Sequence, residues 1–106
     1  IYVEDVARSN IQALISEMDF GMYNIGTEVQ TTINQLCDLI LELKKSSLKV
    51  NYNPYSEGDA RAMVKNRIGS RKKAEQELGF KYKYSLREGL QKLIDWRMAS
   101  GIDKKK

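Results

Sequence analysis

The sequence predicts a small α/β fold with the element order β-α-β-α-β-loop-α-α. Three observations carry that reading. Apolar residues recur every three or four positions in several stretches, the period of a helix with one buried face. Thr32 and Ser85 are each followed three positions later by a residue that can return the bond, Gln35 and Glu88, the spacing of a reciprocal helix cap. Three short segments, 1–3, 21–26 and 48–52, are apolar or alternate apolar with polar side chains, as strands do. With 106 residues, 42 % hydrophobic and 30 % charged, the chain has the size and composition of one small globular domain.

Ile1-Tyr-Val3 is apolar and β-prone, and Glu4 or Asp5 is placed to cap the helix that follows. Ala7, Ile11, Leu14, Ile15 and Met18 share a face of that helix, which the spacing assigns to the core, and the helix is expected to end before Gly21. Gly21-Met-Tyr-Asn-Ile-Gly26 reads as a strand bounded by glycines. The Thr32/Gln35 box opens a helix carrying Ile33, Leu36, Cys37, Ile40 and Leu43 or Lys44 on one side. It runs to about Lys45, where lysines suit the negative end of the dipole. Leu48 to Tyr52 alternates and stops at Asn53-Pro54, since proline lacks the N–H a ladder needs. Residues 55–67 are irregular. Ser70 caps a helix that Gly79 ends, Phe80 to Tyr84 is extended, and Ser85 opens a last helix with Leu86, Leu90, Leu93 and Ile94 on its apolar face and Trp96 beside it.

Composition narrows the chemistry. There is no histidine, and the single cysteine, Cys37, sits in an apolar pattern as a buried thiol would. No glycine-rich nucleotide loop of either common spacing occurs. A complete active site within these residues is therefore not expected. No apolar run approaches the ~18 residues of a membrane span, and a cytoplasmic location fits. Charge is uneven: residues 1–60 carry 4 Lys/Arg against 9 Asp/Glu, and residues 61–106 carry 14 against 5. A positive half of this kind faces an anion or an acidic neighbour, or is simply solvated. A basic nucleic-acid-binding module is the alternative this asymmetry raises, with tyrosines interleaved among the lysines. The opening inside an apolar, strand-like triplet leads us to expect a piece of a longer protein.

Four blocks resemble, in order, the closing segment of extended short-chain dehydrogenase/reductases, the NAD-dependent nucleotide-sugar epimerases and dehydratases. Ile1-Tyr-Val-Glu-Asp-Val-Ala-Arg-Ser-Asn10 resembles "YVxDVARA", and Tyr23-Asn-Ile-Gly-Thr27 resembles "YNIGTG" followed by a helix like 32–44. Arg67 to Phe80 resembles "RxPDIxKAxxxLGW", and Ser85-Leu-Arg-Glu-Gly-Leu90 with Trp96 resembles "SLEEGLxxTIEW". The resemblance covers nearly the whole chain.

It implies that residues 1–103 are the C-terminal substrate-binding region of such an enzyme, without its Rossmann domain, and that 104–106 are a disordered basic tail. NAD, the catalytic tyrosine-lysine pair and the glycine-rich loop would belong to the N-terminal Rossmann domain upstream, with none of them here. By resemblance the parent is UDP-glucose 4-epimerase-like and a homodimer, NAD transiently oxidises the sugar, and the fragment alone is inactive. The implied partner is a nucleotide-diphosphate sugar, gripped by an arginine. One family position for that arginine is occupied here by Ser56; the other is Arg67, thirteen residues before Phe80, with the family's proline and aspartate replaced by Gly69 and Ser70. Arg67 is thus the expected diphosphate contact, with Arg61 as a second, since a guanidinium matches phosphate oxygens in bidentate fashion. Tyr23 and Asn24 belong to a strand near the site, Asp5 to a cap, and Trp96 to packing.

Overall fold

The computed structural model describes residues 1–54 and 66–101. Four helices form: α1 (Val3–Ile15), α2 (Ile33–Leu43), α3 (Lys72–Leu78) and α4 (Leu86–Ser100). Among the described residues there is no strand, so the expected α/β order β-α-β-α-β-loop-α-α is corrected to an all-helical one. The reason is physical. A strand needs a neighbour whose free N–H and C=O groups it can pair with, and apolar alternation alone supplies none. The first expected strand is instead partly taken into α1, which starts at Val3. Segments 21–26 and 48–52 keep an irregular backbone.

The chain divides into two compact units, 1–29 with 69–106, and 30–68. In the first, α1 packs on α3. α3 ends at Gly79 in the left-handed conformation (φ 64°), and the Phe80 N–H returns to the Ala74 carbonyl at 3.1 Å. That closure needs a residue without a Cβ at the positive φ, as the sequence indicated. It turns Phe80 inward, where it and Ala74 are fully buried. α3 starts one residue after the expected position, with Arg71 at the N-cap; the Ser70 hydroxyl accepts the Lys72 N–H at 3.4 Å. α4 opens with the expected box: Glu88 N–H to the Ser85 hydroxyl at 3.2 Å, and Ser85 N–H to the Glu88 carboxylate at 2.8 Å. Gly89 is buried against Tyr2, whose ring lies edge-on to Tyr84 with centroids 5.0 Å apart.

α1 is turned the other way round from its expected orientation. Its inward residues are polar: Asp5 and Ser9 are buried, and Gln12 Nε2 donates to the Gly79 carbonyl at 3.3 Å. The apolar stripe faces out, with Ile11 58 %, Leu14 84 % and Ile15 74 % exposed. Tyr2, with no side-chain cap bond, stands at the N-cap in place of Glu4 or Asp5, and the helix ends at Ile15.

In the second unit, Thr32 and Gln35 cap α2 reciprocally at 3.2 and 2.8 Å. Its end passes through Lys45 at φ 49°, and the Ser46 N–H closes on the Leu41 carbonyl at 2.9 Å. Leu36, Cys37, Leu39, Leu41 and Leu43 are half-buried, and Tyr52 Oη donates to Asn34 Oδ1 at 3.4 Å.

Candidate functional site

Asp5 organises the first unit. Its carboxylate is fully buried and accepts the N–H groups of Lys83 at 2.9 Å and Tyr84 at 3.1 Å, and it pairs with Arg8 one helical turn on. Lys83 and Tyr84 lie just before α4, whose first turn is set by Ser85, so one side chain of α1 latches the chain where α4 begins. Asp5 and Arg8 are the acidic and basic letters of the "DVAR" block, and the geometry gives them a structural task.

Around that latch lies a basic and aromatic surface. Lys92 Nζ sits 5.0 Å from the Tyr84 ring centroid, 5.9 Å from that of Tyr2, and 4.0 Å from Glu4 Oε1. Lys83 Nζ is 5.6 Å from the Tyr84 ring. The hydrogen bond with Glu4 pushes the Tyr84 phenol above its ordinary pKa. On α3, Tyr23 Oη donates to Glu77 Oε2 at 2.8 Å and Lys73 Nζ lies 5.0 Å from the Tyr23 ring. That bond to a carboxylate raises the Tyr23 pKa as well, so neither phenol is primed to act as a base at neutral pH.

Arg71 is held by several groups at once. Its backbone N–H donates to Glu28 Oε1 at 2.7 Å, Nε donates to Glu75 Oε1 at 2.7 Å, and Nη1 donates to the Thr27 carbonyl. The guanidinium carbon stands 5.0 Å from the Tyr82 ring centroid. The Glu75 bond raises the Arg71 pKa, and the N–H of Arg71 holds the Glu28 carboxyl below the usual range. The motif comparison that singled out Arg67 passed over Arg71 and Glu28. The available signal was Glu28 itself, which stands where "YNIGTG" has its last glycine.

Arg67 is exposed and has no partner among the described residues. It lies in the second unit, two residues before the first resumes at Gly69. Arg61 lies outside the described residues. An open cleft of about 740 Å³ runs beside α1 and α3, lined by Gln12, Ile15, Ser16, Met18, Glu77 and Gly79. Its apolar wall is the exposed end of the α1 stripe, so it has the character of an uncovered seam and not of an enclosed ligand pocket. No cluster of three or more His, Cys, Asp or Glu residues able to hold a metal occurs among the described residues. No helix among them is long and apolar enough to cross a membrane.

No protein-family model matches the chain. A putative UDP-glucose 4-epimerase of Methanocaldococcus jannaschii is 31 % identical over 96 residues, which is 91 % of this chain and 29 % of that protein. A UDP-glucose 4-epimerase of Rhizobium leguminosarum bv. trifolii is 31 % identical over 103 residues, 94 % of this chain and 30 % of that protein. The crystal structure of the Bordetella bronchiseptica enzyme WbmF, in complex with NAD+ and UDP, superposes with a TM-score of 0.75 at 33 % identity, covering 94 % of this chain and 28 % of that one. The chain belongs to the nucleotide-sugar epimerase/dehydratase family. It spans under a third of the length of the relatives it matches, and its motifs are those of that family's C-terminal segment.

Proposed function

We propose that this chain is the substrate-binding part of an NAD-dependent nucleotide-sugar epimerase of the UDP-glucose 4-epimerase kind. The observation that carries the reading is the match over 94 % of the chain to an enzyme solved with NAD+ and UDP. Residues 1–103 form the C-terminal substrate-binding region, and 104–106 a basic tail. Arg67 grips the diphosphate of the donor, with Arg61 as a second contact; the exposure of Arg67 supports that role.

The chain has no glycine-rich cradle for a dinucleotide, so NAD is assigned to a Rossmann domain outside these 106 residues. NAD, when bound there, supplies a reversible hydride acceptor; the residues present here bind and orient the sugar nucleotide. The outward stripe Ile11, Leu14, Ile15 is the face that the Rossmann domain covers, because an apolar patch of this kind marks an interface. Without that domain the 106 residues are inactive. The parent is a cytoplasmic homodimer in this reading. The nucleic-acid alternative loses ground because Arg71, Lys73 and Lys92 are engaged with carboxylates and rings of their own chain.

The test is UDP-sugar binding by the full-length protein carrying Arg67→Ala, followed by calorimetry. Loss of about tenfold or more is expected from removing a charge-assisted contact. Unchanged affinity would remove Arg67 from the site.

A further inference from the structure

The cleft beside α1 and α3 lies wholly within the unit formed by 1–29 and 69–106, and its lining has two chemistries. Ile15 and Met18, exposed at the end of α1, and the half-buried Leu78 give it an apolar wall. Oxygen acceptors stand against that wall. Glu17 and Glu77 both line the cleft, and both are exposed. Residues 76–78 are the last turn of α3, where carbonyls have no N–H of the helix to accept and the helix dipole is negative. The Gln12 Nε2 donates to the Gly79 carbonyl at 3.3 Å, while Gln12 Oε1 is closed off from solvent with no hydrogen-bond partner among the described residues. Tyr23 Oη and Lys73 Nζ approach Glu77 at 2.8 and 4.0 Å. No lysine or arginine lines the cleft, although residues 61–106 carry 14 Lys/Arg against 5 Asp/Glu. The seam is therefore apolar and electronegative on an otherwise basic half of the chain.

We propose that this seam seats a basic, apolar-flanked segment of the same protein, N-terminal to Ile1. A lysine or arginine of that segment lays its aliphatic stem on Ile15, Met18 and Leu78 and donates from its head group to Glu17 and to the carbonyls that end α3. The inference rests on the reading of this chain as the closing part of an epimerase. The chain covers 28–30 % of the relatives it matches, so in that reading most of the protein lies outside it and is tethered to Ile1. A tethered segment meets the seam at an effective concentration of the order of millimolar, which a free peptide in dilute solution does not reach. A second copy fits less well, because a two-fold contact through this face sets its carboxylates against their own counterparts.

The experiment uses the full-length protein with Ile15 and, separately, Met18 replaced by the photo-cross-linker p-benzoylphenylalanine, in equal mixtures of isotopically light and heavy protein. Both positions are exposed in these 106 residues, and Met18 serves where bulk at Ile15 prevents docking. Irradiation is expected to give a cross-link within one molecule, to a peptide N-terminal to Ile1 that contains a lysine or arginine. Adding Glu17→Lys should lower the cross-link yield about fivefold or more, since it sets like charges together. A yield within about twofold of the parent would overturn the basic chemistry of the occupant. Cross-links between light and heavy copies would overturn the proposal in favour of a dimer contact. Products confined to residues 1–106, or none from either position, would overturn it by showing the seam open to solvent. Titration of the unmodified full-length protein with NAD and UDP keeps the two readings apart: binding of neither overturns the functional reading, whereas binding of both with no upstream cross-link overturns the seam alone.

Discussion

Removing the Asp5 carboxylate is the perturbation with the largest expected effect on stability. In Asp5→Ala two backbone N–H groups, on Lys83 and Tyr84, lose their acceptor, and Arg8 loses its counter-charge. Each charge-assisted bond contributes about 1.5–3 kcal/mol, and breaking a buried pair by deleting one partner costs about 3–5 kcal/mol. Arg8 is 35 % exposed, so it regains water and the upper end does not apply. A loss of about 3–4 kcal/mol follows. Asp5→Asn keeps one carbonyl oxygen but turns an amide N–H₂ toward a backbone donor, for a loss of about 2 kcal/mol. The assay is urea unfolding of the full-length protein with each variant, comparing midpoints at constant slope. Because the latch holds the chain entering α4, hydrogen exchange at Lys83 and Tyr84 should rise in both variants. A loss below about 1 kcal/mol in Asp5→Ala, with protection at those amides retained, would refute the latch.

Thr32→Ala removes one half of the α2 capping box and is expected to cost about 0.5–2 kcal/mol, read from the same unfolding assay; Thr32→Asn should be near neutral. In Gly89→Ala a new Cβ would stand 3.1 Å from Tyr2 Cβ, an atom too near the backbone to swing aside, so overpacking outweighs a helix-propensity gain of about 1 kcal/mol and stability falls. Glu88 is held below the usual carboxyl pKa by its bonds with Ser85. Its contribution is therefore complete above about pH 4.3 and is lost as pH falls through its own lower value, so Glu88→Gln should lower stability at pH 7 and flatten the decline on acidification, measured by thermal melts at stepped pH. Leu14→Asp, on the outward face of α1, should destabilise the full-length protein by more than about 2 kcal/mol if that face is covered there; a change within about 0.5 kcal/mol would show it solvated.

Local rules were legible in the sequence because their causes are local. Both reciprocal caps, Thr32/Gln35 and Ser85/Glu88, and the left-handed stop at Gly79 involve residues within a few positions of one another. The three expected strands do not form among the described residues, because pairing depends on a partner and the alternation at 48–52 is silent about one. The family was legible in four ordered motifs, and the comparisons agree.

Tertiary structure decided which face of α1 points inward. Periodicity located the apolar stripe correctly but assigned it to the core of these residues. Asp5 and Gln12 turn in instead, where the chain at 79–84 offers the Lys83 and Tyr84 N–H groups to the carboxylate and the Gly79 carbonyl to the amide, while the buried Ser9 hydroxyl bonds the Val6 carbonyl of its own helix. Likewise only the fold brings Glu28 to Arg71 across 43 positions, since nothing in local spacing couples a turn residue to a helix it does not adjoin. The sequence by itself determined the two reciprocal caps, the Gly79 stop and the kinship of the chain; the folded chain determined where α1 begins and ends and which side chains its polar backbone groups recruit.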